Sequence, residues 1–326
     1  MSPKPQFLID LERDGYVVVP KVIPPKSCDD FIASAWSWLE SFPHGFKRND
    51  ISTWTADHLP YGQDRGLYNR YSVNHEDFVW KIRTEPGILA TFAAVWGTED
   101  LIASFDGMNV SLPVNPKSGR TDVEATSPWP HIDQNPRTIE RLELYQGIAN
   151  LAKNGPDDGG LVVLKGSHLL HKQHFEEIGG FREGADAGIG ENGYNFEKGD
   201  DKWYRDRGCE EVKVCAEAGD LILWDSRTIH WNAAPTGEHT RFATYVCYCP
   251  KSWMSEPELE KKKEIFKARK GTTHWPNMNI VPADKEGYFY ATPRRPDDSA
   301  DVADRDRPFH EPAVTPAVLK LAGWAA

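Results

Sequence analysis

A cationic excess is missing from this chain. Against 49 Asp and Glu it carries 38 Lys and Arg in 326 residues, a formal charge of −11. Neutralising phosphates needs the opposite balance, so neither nucleic acid nor an anionic membrane surface is expected as a partner. The basic run "EKKKEIFKARK" at 260–270 holds two glutamates of its own. No apolar run approaches the roughly 18 residues of a membrane span. The N-terminal "MSPKPQFLIDLERDGYVVV" lacks the cationic start, unbroken apolar core and cleavage site of a signal peptide, so a cytoplasmic protein is expected. Cysteine is scarce as well. Five residues without C-x-x-C spacing suit buried reduced thiols, not a disulfide frame or a zinc finger. No Gly-rich strand-to-helix phosphate loop appears, and a Rossmann reading fails.

What is present changes character along the chain. The start reads as a helix, a short strand "GYVVVP", and a second helix in which Phe31, Ile32, Ala35, Trp36 and Leu39 recur at helical spacing. "TEPGILATFAAVWG" (84–97) continues as a helix stopped by Gly97. Short runs rich in Val, Ile, Leu, Tyr and Trp then alternate with "NGPDDGG", "EAGD" and "APTGEH" turn clusters. Residues 171–208 are polar and Gly-rich, so they are expected to form a loop excursion. Its Phe175, Phe181, Tyr194, Phe196, Trp203 and Tyr204 would either fold over the open end as a lid or anchor the loop to the barrel. Helices before antiparallel strands predict an α+β protein on a double-stranded β-helix, or jelly-roll, core. One domain is expected over 1–326, with a helical flank (1–100), a core (about 101–250) and a C-terminal extension (251–326). The number of copies in the assembly is left open.

Three His-x-acid pairs occur, where composition alone yields roughly 1.7 by chance. His75–Asp77 sits where Asn74 would cap a helix, and two residues on a helix point about 200° apart. His174–Glu176 opens the polar excursion and reads as a solvated face. His131–Asp133, in "WPHIDQNP", lies in extended chain, where i and i+2 share a face and can meet on one ion. The third ligand would be His230, at the end of the apolar run "GDLILWDSRTIHW". Two imidazoles and a carboxylate form the facial triad of non-haem iron(II) oxygenases, leaving three positions open. Arg241 enters the apolar strand "RFATY", and a buried guanidinium demands a carboxylate. Arg227 is the reserve for that role. Gln134 is placed to orient the Asp133 carboxylate. Gln146 and Asn109 are amides on core strands that need partners, among which co-substrate is one.

The order "DGYVVVPKVIP", "HID", "GGLVVLKGSH", "GDLILWDSRTIHW" and "RFATY" resembles the phytanoyl-CoA dioxygenase family of iron(II)/2-oxoglutarate oxygenases over roughly residues 8 to 250. "THWPNMN" is matched less securely. The resemblance implies His131, Asp133 and His230 as iron ligands, Arg241 as the clamp on the 2-oxoglutarate C5 carboxylate, and dioxygen as the third reactant. Asn232 stands where a Ser is common and would help to hold that carboxylate. His168 of "GSH" closes a turn in the family and is read as structural. Related halogenases replace the carboxylate ligand by a small residue. Asp133 is retained, so hydroxylation of a small molecule, or another non-halogenating oxidation, is expected. A non-catalytic cupin-like binder and a protein-side-chain hydroxylase are the alternatives, and the charge balance argues against a CoA thioester.

Overall fold

The computed structural model describes residues 3–62, 66–181, 192–197, 199–278 and 292–325. The chain opens with α1 (Gln6–Asp14), stopped by Gly15 at φ +79°, the left-handed conformation a helix end favours. β1 (Tyr16–Val19) leads to α2 (Pro25–Glu40), which begins on proline, where no amide hydrogen is needed. The two-residue β2 (Leu67–Tyr68) precedes α3 (Asp77–Arg83) and α4 (Pro86–Trp96), and Gly97 ends the latter as its spacing predicts. Strands follow as β3 (Leu101–Ala103), β4 (Met108–Ser111), β5 (His131–Ile132), β6 (Tyr145–Asn150) and β7 (Gly160–Lys165). After α5 (His171–Glu177), β8 (Tyr194–Asn195) and α6 (Asp200–Arg205) come β9 (Glu210–Lys213), β10 (Leu221–Asp225), β11 (His230–Ala233), β12 (Arg241–Tyr245) and β13 (Tyr248–Pro250). The extension carries α7 (Glu256–Lys267), started by a Ser255–Glu258 capping box, and α8 (Pro316–Leu321).

Two antiparallel sheets face each other, a six-stranded one in the order β1-β10-β6-β12-β4-β2 and a five-stranded one in the order β8-β5-β11-β7-β9. This is the double-stranded β-helix expected, although the helical flank also lends β1 and β2 to the larger sheet. Alternation sorts the larger sheet's faces. Phe242 and Val246 point outward into a core shared with the helices, which runs from Leu11 to Ala322. Ile148, Ile222, Trp224 and Ala243 point inward and meet Leu161 and Val163 from the smaller sheet.

The excursion departs from the polar-loop expectation. Phe175, Tyr194, Phe196 and Tyr204 are buried with Ile132, Val162, Leu164 and Trp231 on the smaller sheet's outer face. Its aromatics therefore anchor it to the barrel and do not cover the open end; residues 182–191 and 198 lie outside the described chain. Among the described residues no helix is long and apolar enough to cross a membrane.

Candidate metal centre

Strand pairing brings the two histidines together. His131 on β5 is opposite His230 on β11, and their rings lie 4.3 Å apart. Two residues on, the Asp133 amide donates to the Ser226 carbonyl at 3.0 Å, which turns the carboxylate back onto both rings. Oδ2 lies 3.1 Å from His230 Nε2, and Oδ1 lies 3.8 Å from His131 Nε2. One ligand atom from each residue falls within 4.8 Å of the others.

Hydrogen bonds behind the rings decide what faces the gap. His131 Nδ1 donates to the Trp129 carbonyl at 2.9 Å, and His230 Nδ1 donates to the Thr228 carbonyl at 2.9 Å. With Nδ1 engaged on the backbone, each ring turns its Nε2 toward the carboxylate. Burial, with His230 beside it, holds His131 down at about 4, so it carries no proton on Nε2 at neutral pH. Burial alone would raise Asp133, but His274, His131 and His230 together hold it well below the usual carboxylate range. Two imidazole nitrogens and a carboxylate thus converge on one gap, an arrangement that a cation would satisfy. The residues fit a divalent metal held on one face.

Side chains around the triad fix it further. Gln146 Nε2 donates to Asp133 Oδ2 at 2.9 Å. Gln134, expected to orient that carboxylate, does not: its amide donates to the Thr138 and Arg141 carbonyls and accepts from Ser226, bracing a loop. Trp129 stacks on His131 at 4.2 Å and remains 42% exposed at the mouth. Trp224 meets His230 edge-on at 5.5 Å.

Sequence reasoning missed one contributor. The segment 271–277 straps across from the extension: Thr272 and Phe105 exchange bonds of 2.8 and 2.9 Å. Trp275 packs on Leu144 and Cys247. The buried Lys262 ammonium donates to the carbonyls of Ala103 (2.5 Å) and Pro276 (3.0 Å). His274 on this strap acts electrostatically on Asp133 and His131 and on Asp106, and its Nε2 is buried without a hydrogen-bond partner. The only signal for it in the sequence was a histidine beside a tryptophan, which no spacing rule connects to the triad.

Deeper in the barrel lies a cationic socket. Arg241 is 2% exposed, its Nη2 has no hydrogen-bond partner, and no carboxylate among the described residues forms an ion pair with it. Lys213 adds a second positive charge there; burial first, and Arg241 with it, lower its ammonium to about 8. Gly160, at φ +135°, leaves space for the guanidinium, since a Cβ there would come within 3.1 Å of Arg241 Nε. Asn109 and Ser111 share the inward face with Arg241, and the Ser111 hydroxyl donates to Asn109 Oδ1 at 2.7 Å. Asn232, two residues beyond His230, lies on the same face of β11. Arg227 is excluded as the clamp because it forks onto Asp225 at 2.9 and 2.6 Å.

The other histidines weighed from the sequence, His75, His168 and His174, lie outside the triad. His75 lies in a 3-10 turn ahead of α3, not on the helix expected, and its Nε2 donates to the Lys270 carbonyl at 2.8 Å. His174 is not on a solvated face but buried among Phe175, Phe196, Trp203 and Tyr204. His168 Nε2 donates to the Glu12 carbonyl at 3.1 Å, in keeping with its turn reading. Cavities of about 440 Å³ beside 69–74 and 268–271 and of about 970 Å³ between α2 and α3 include none of the triad, so ligand geometry, not hollow size, locates the site.

A triad able to hold a metal ion and a buried cationic socket, both on a double-stranded β-helix, suit an iron(II)/2-oxoglutarate oxygenase. Residues 11–243 match the phytanoyl-CoA dioxygenase (PhyH) family, and the chain belongs to it. It is thus an iron(II)- and 2-oxoglutarate-dependent oxidoreductase. Ava biosynthesis cluster protein O of Aspergillus versicolor is 39% identical over 276 residues, 83% of this chain and 86% of that protein. Among solved structures, the epimerase SnoN in complex with Fe3+, alpha ketoglutarate and nogalamycin RO aligns with a TM-score of 0.50 and 20% identity. That alignment covers 76% of this chain and 83% of SnoN. The carbocyclase SnoK, also from nogalamycin biosynthesis, aligns with a TM-score of 0.49 and 17% identity, covering 76% and 84% of the two chains.

Proposed function

We propose that the protein hydroxylates a C–H bond of a free small molecule, with His131, Asp133 and His230 holding iron(II) and Arg241 gripping 2-oxoglutarate. The convergence of two Nε2 atoms and a carboxylate carries this reading, and the unpaired Arg241 in the barrel supports its second half. Bound iron would supply dioxygen activation coupled to decarboxylation of 2-oxoglutarate to succinate and CO2. The chain's own groups position and exclude. The two imidazoles, set by the Trp129 and Thr228 carbonyls, present Nε2 to the metal position, and the guanidinium fork fixes one end of the co-substrate, with Asn232 on the His230 face of β11. The apolar walls, Trp224 among them, keep water from the reacting centre. We read the whole chain, 1–326, as one such unit, because a single apolar core joins both of its ends.

A net charge of −11 disfavours a polyanionic CoA thioester, and the relative from a biosynthesis cluster favours a specialised metabolite. The test is anaerobic loading with iron(II) and 2-oxoglutarate, then a succinate-release screen of free metabolites against acyl-CoA thioesters. Turnover confined to the thioesters refutes the substrate class.

A further inference from the structure

Asp133 has one freedom that the strands leave unfixed. Its backbone is tied to Ser226, but rotation about the last side-chain bond decides whether one carboxylate oxygen or both face the gap between the histidines. A carboxylate bound through both oxygens uses an extra coordination position. In a facial triad that position is needed by co-substrate or dioxygen.

The larger sheet reaches across the barrel to this bond. Gln146 on β6 is buried, and its Nε2 donates to Oδ2 at 2.9 Å, leaving Oδ1 with no hydrogen-bond donor among the described residues. Its cross-strand partner on β10 is Trp224, whose ring edge meets His230. One pair of facing residues in the larger sheet thereby backs two of the three candidate ligands in the smaller one. Among the described residues no other side-chain amide bonds Asp133, and its neighbour Gln134 is spent on three partners in its own loop.

We propose that Gln146 is a positioning residue that occupies Asp133 Oδ2, so that the carboxylate meets the metal through a single oxygen and three positions stay open. This assigns it a role on the ligand and not on the co-substrate, and it rests on the triad reading above. An amide suits the task because it donates without carrying charge, so Asp133 keeps its full negative charge for the metal.

The test uses Co(II) in place of iron, with Gln146→Leu and the unbranched, equally long Gln146→Met in case the first variant folds poorly. Co(II) affinity is titrated, the visible spectrum of the Co(II) protein is recorded, and 2-oxoglutarate binding is measured on the Ni(II) protein. Both variants should bind Co(II) about 10- to 100-fold more weakly. The Co(II) spectrum should shift toward a higher coordination number, while the metal-free melting temperature stays near that of the wild type. Unchanged Co(II) affinity and spectrum overturn the proposal, as does a loss confined to 2-oxoglutarate binding, which would place Gln146 on the co-substrate. A fall in Co(II) affinity accompanied by an equal loss of metal-free stability also overturns it. Asp133→Ala is the separate control: if it still binds Co(II) like the wild type, the triad reading itself fails.

Discussion

Replacing Arg241 by Met should make the ligand-free protein more stable and abolish 2-oxoglutarate binding. The guanidinium is 2% exposed, lacks a carboxylate partner and sits close enough to Lys213 to help depress that ammonium. An unsatisfied buried charged donor costs about 1–3 kcal/mol or more, and Met keeps most of the aliphatic packing while removing that cost. At roughly 1.5 °C per kcal/mol for a chain of this length, the melting temperature should rise by about 2–5 °C. Arg241→Lys separates charge from geometry. It keeps the cation and one bond but loses the second arm of the fork, about 1.5–3 kcal/mol, so the Kd for 2-oxoglutarate should rise roughly 10- to 150-fold. The assays are thermal melts with and without 2-oxoglutarate and calorimetric titration of the Ni(II) protein. A Met variant that melts below the wild type and still gains stability from 2-oxoglutarate refutes the reasoning.

Alanine at His131, Asp133 or His230 should remove most Co(II) binding and all turnover. His75→Ala and His174→Ala should leave Co(II) binding intact but lower the melting temperature, because both rings are buried. Gly160→Ala should weaken 2-oxoglutarate binding at least tenfold without affecting Co(II), since the added methyl lies 3.1 Å from Arg241 Nε and the backbone φ is unfavourable to any side chain. The Lys262 ammonium is pushed down to about 7 by burial. Between that value and the ordinary 10.5 the unfolded chain binds more protons than the folded one, so this group makes stability rise with pH across that window. Comparing Lys262→Met with the wild type by melts from pH 6 to 10 should show this part of the rise missing in the variant, and an identical slope in both proteins refutes the assignment.

Local chemistry made the barrel legible. Gly15 and Gly97 end their helices, and short apolar runs such as 221–225 and 241–245 are strands as expected. His131, Asp133 and His230 converge as read, although β5 ends at Ile132 and the Asp133–Ser226 bond, not strand alternation, turns the carboxylate toward the rings. Partner choice was not legible in the same way. Gln134 and Gln146 both read as amides that need partners, and only the register of β6 against β10 puts the second within reach of the carboxylate. The excursion looked too polar for a core because its aromatics are dispersed among charges, yet four of them gather on one face once α5 and α6 form. His274 was invisible for a related reason: it is 44 residues beyond His230 in the chain, and the contacts of Lys262, Thr272 and Trp275 bring it in.

The strap gives the molecule a division of labour along its sequence. The residues proposed to hold iron and co-substrate lie inside the 11–243 stretch that matches the family, whereas the strap that brings His274 to bear on Asp133 comes after it, on a segment pinned by a lysine from the extension. Because His274 acts on Asp133, a change on the strap is felt at the candidate metal site itself. The tail of the chain is thereby coupled to the centre of the barrel, although it lies outside the stretch that defines the family.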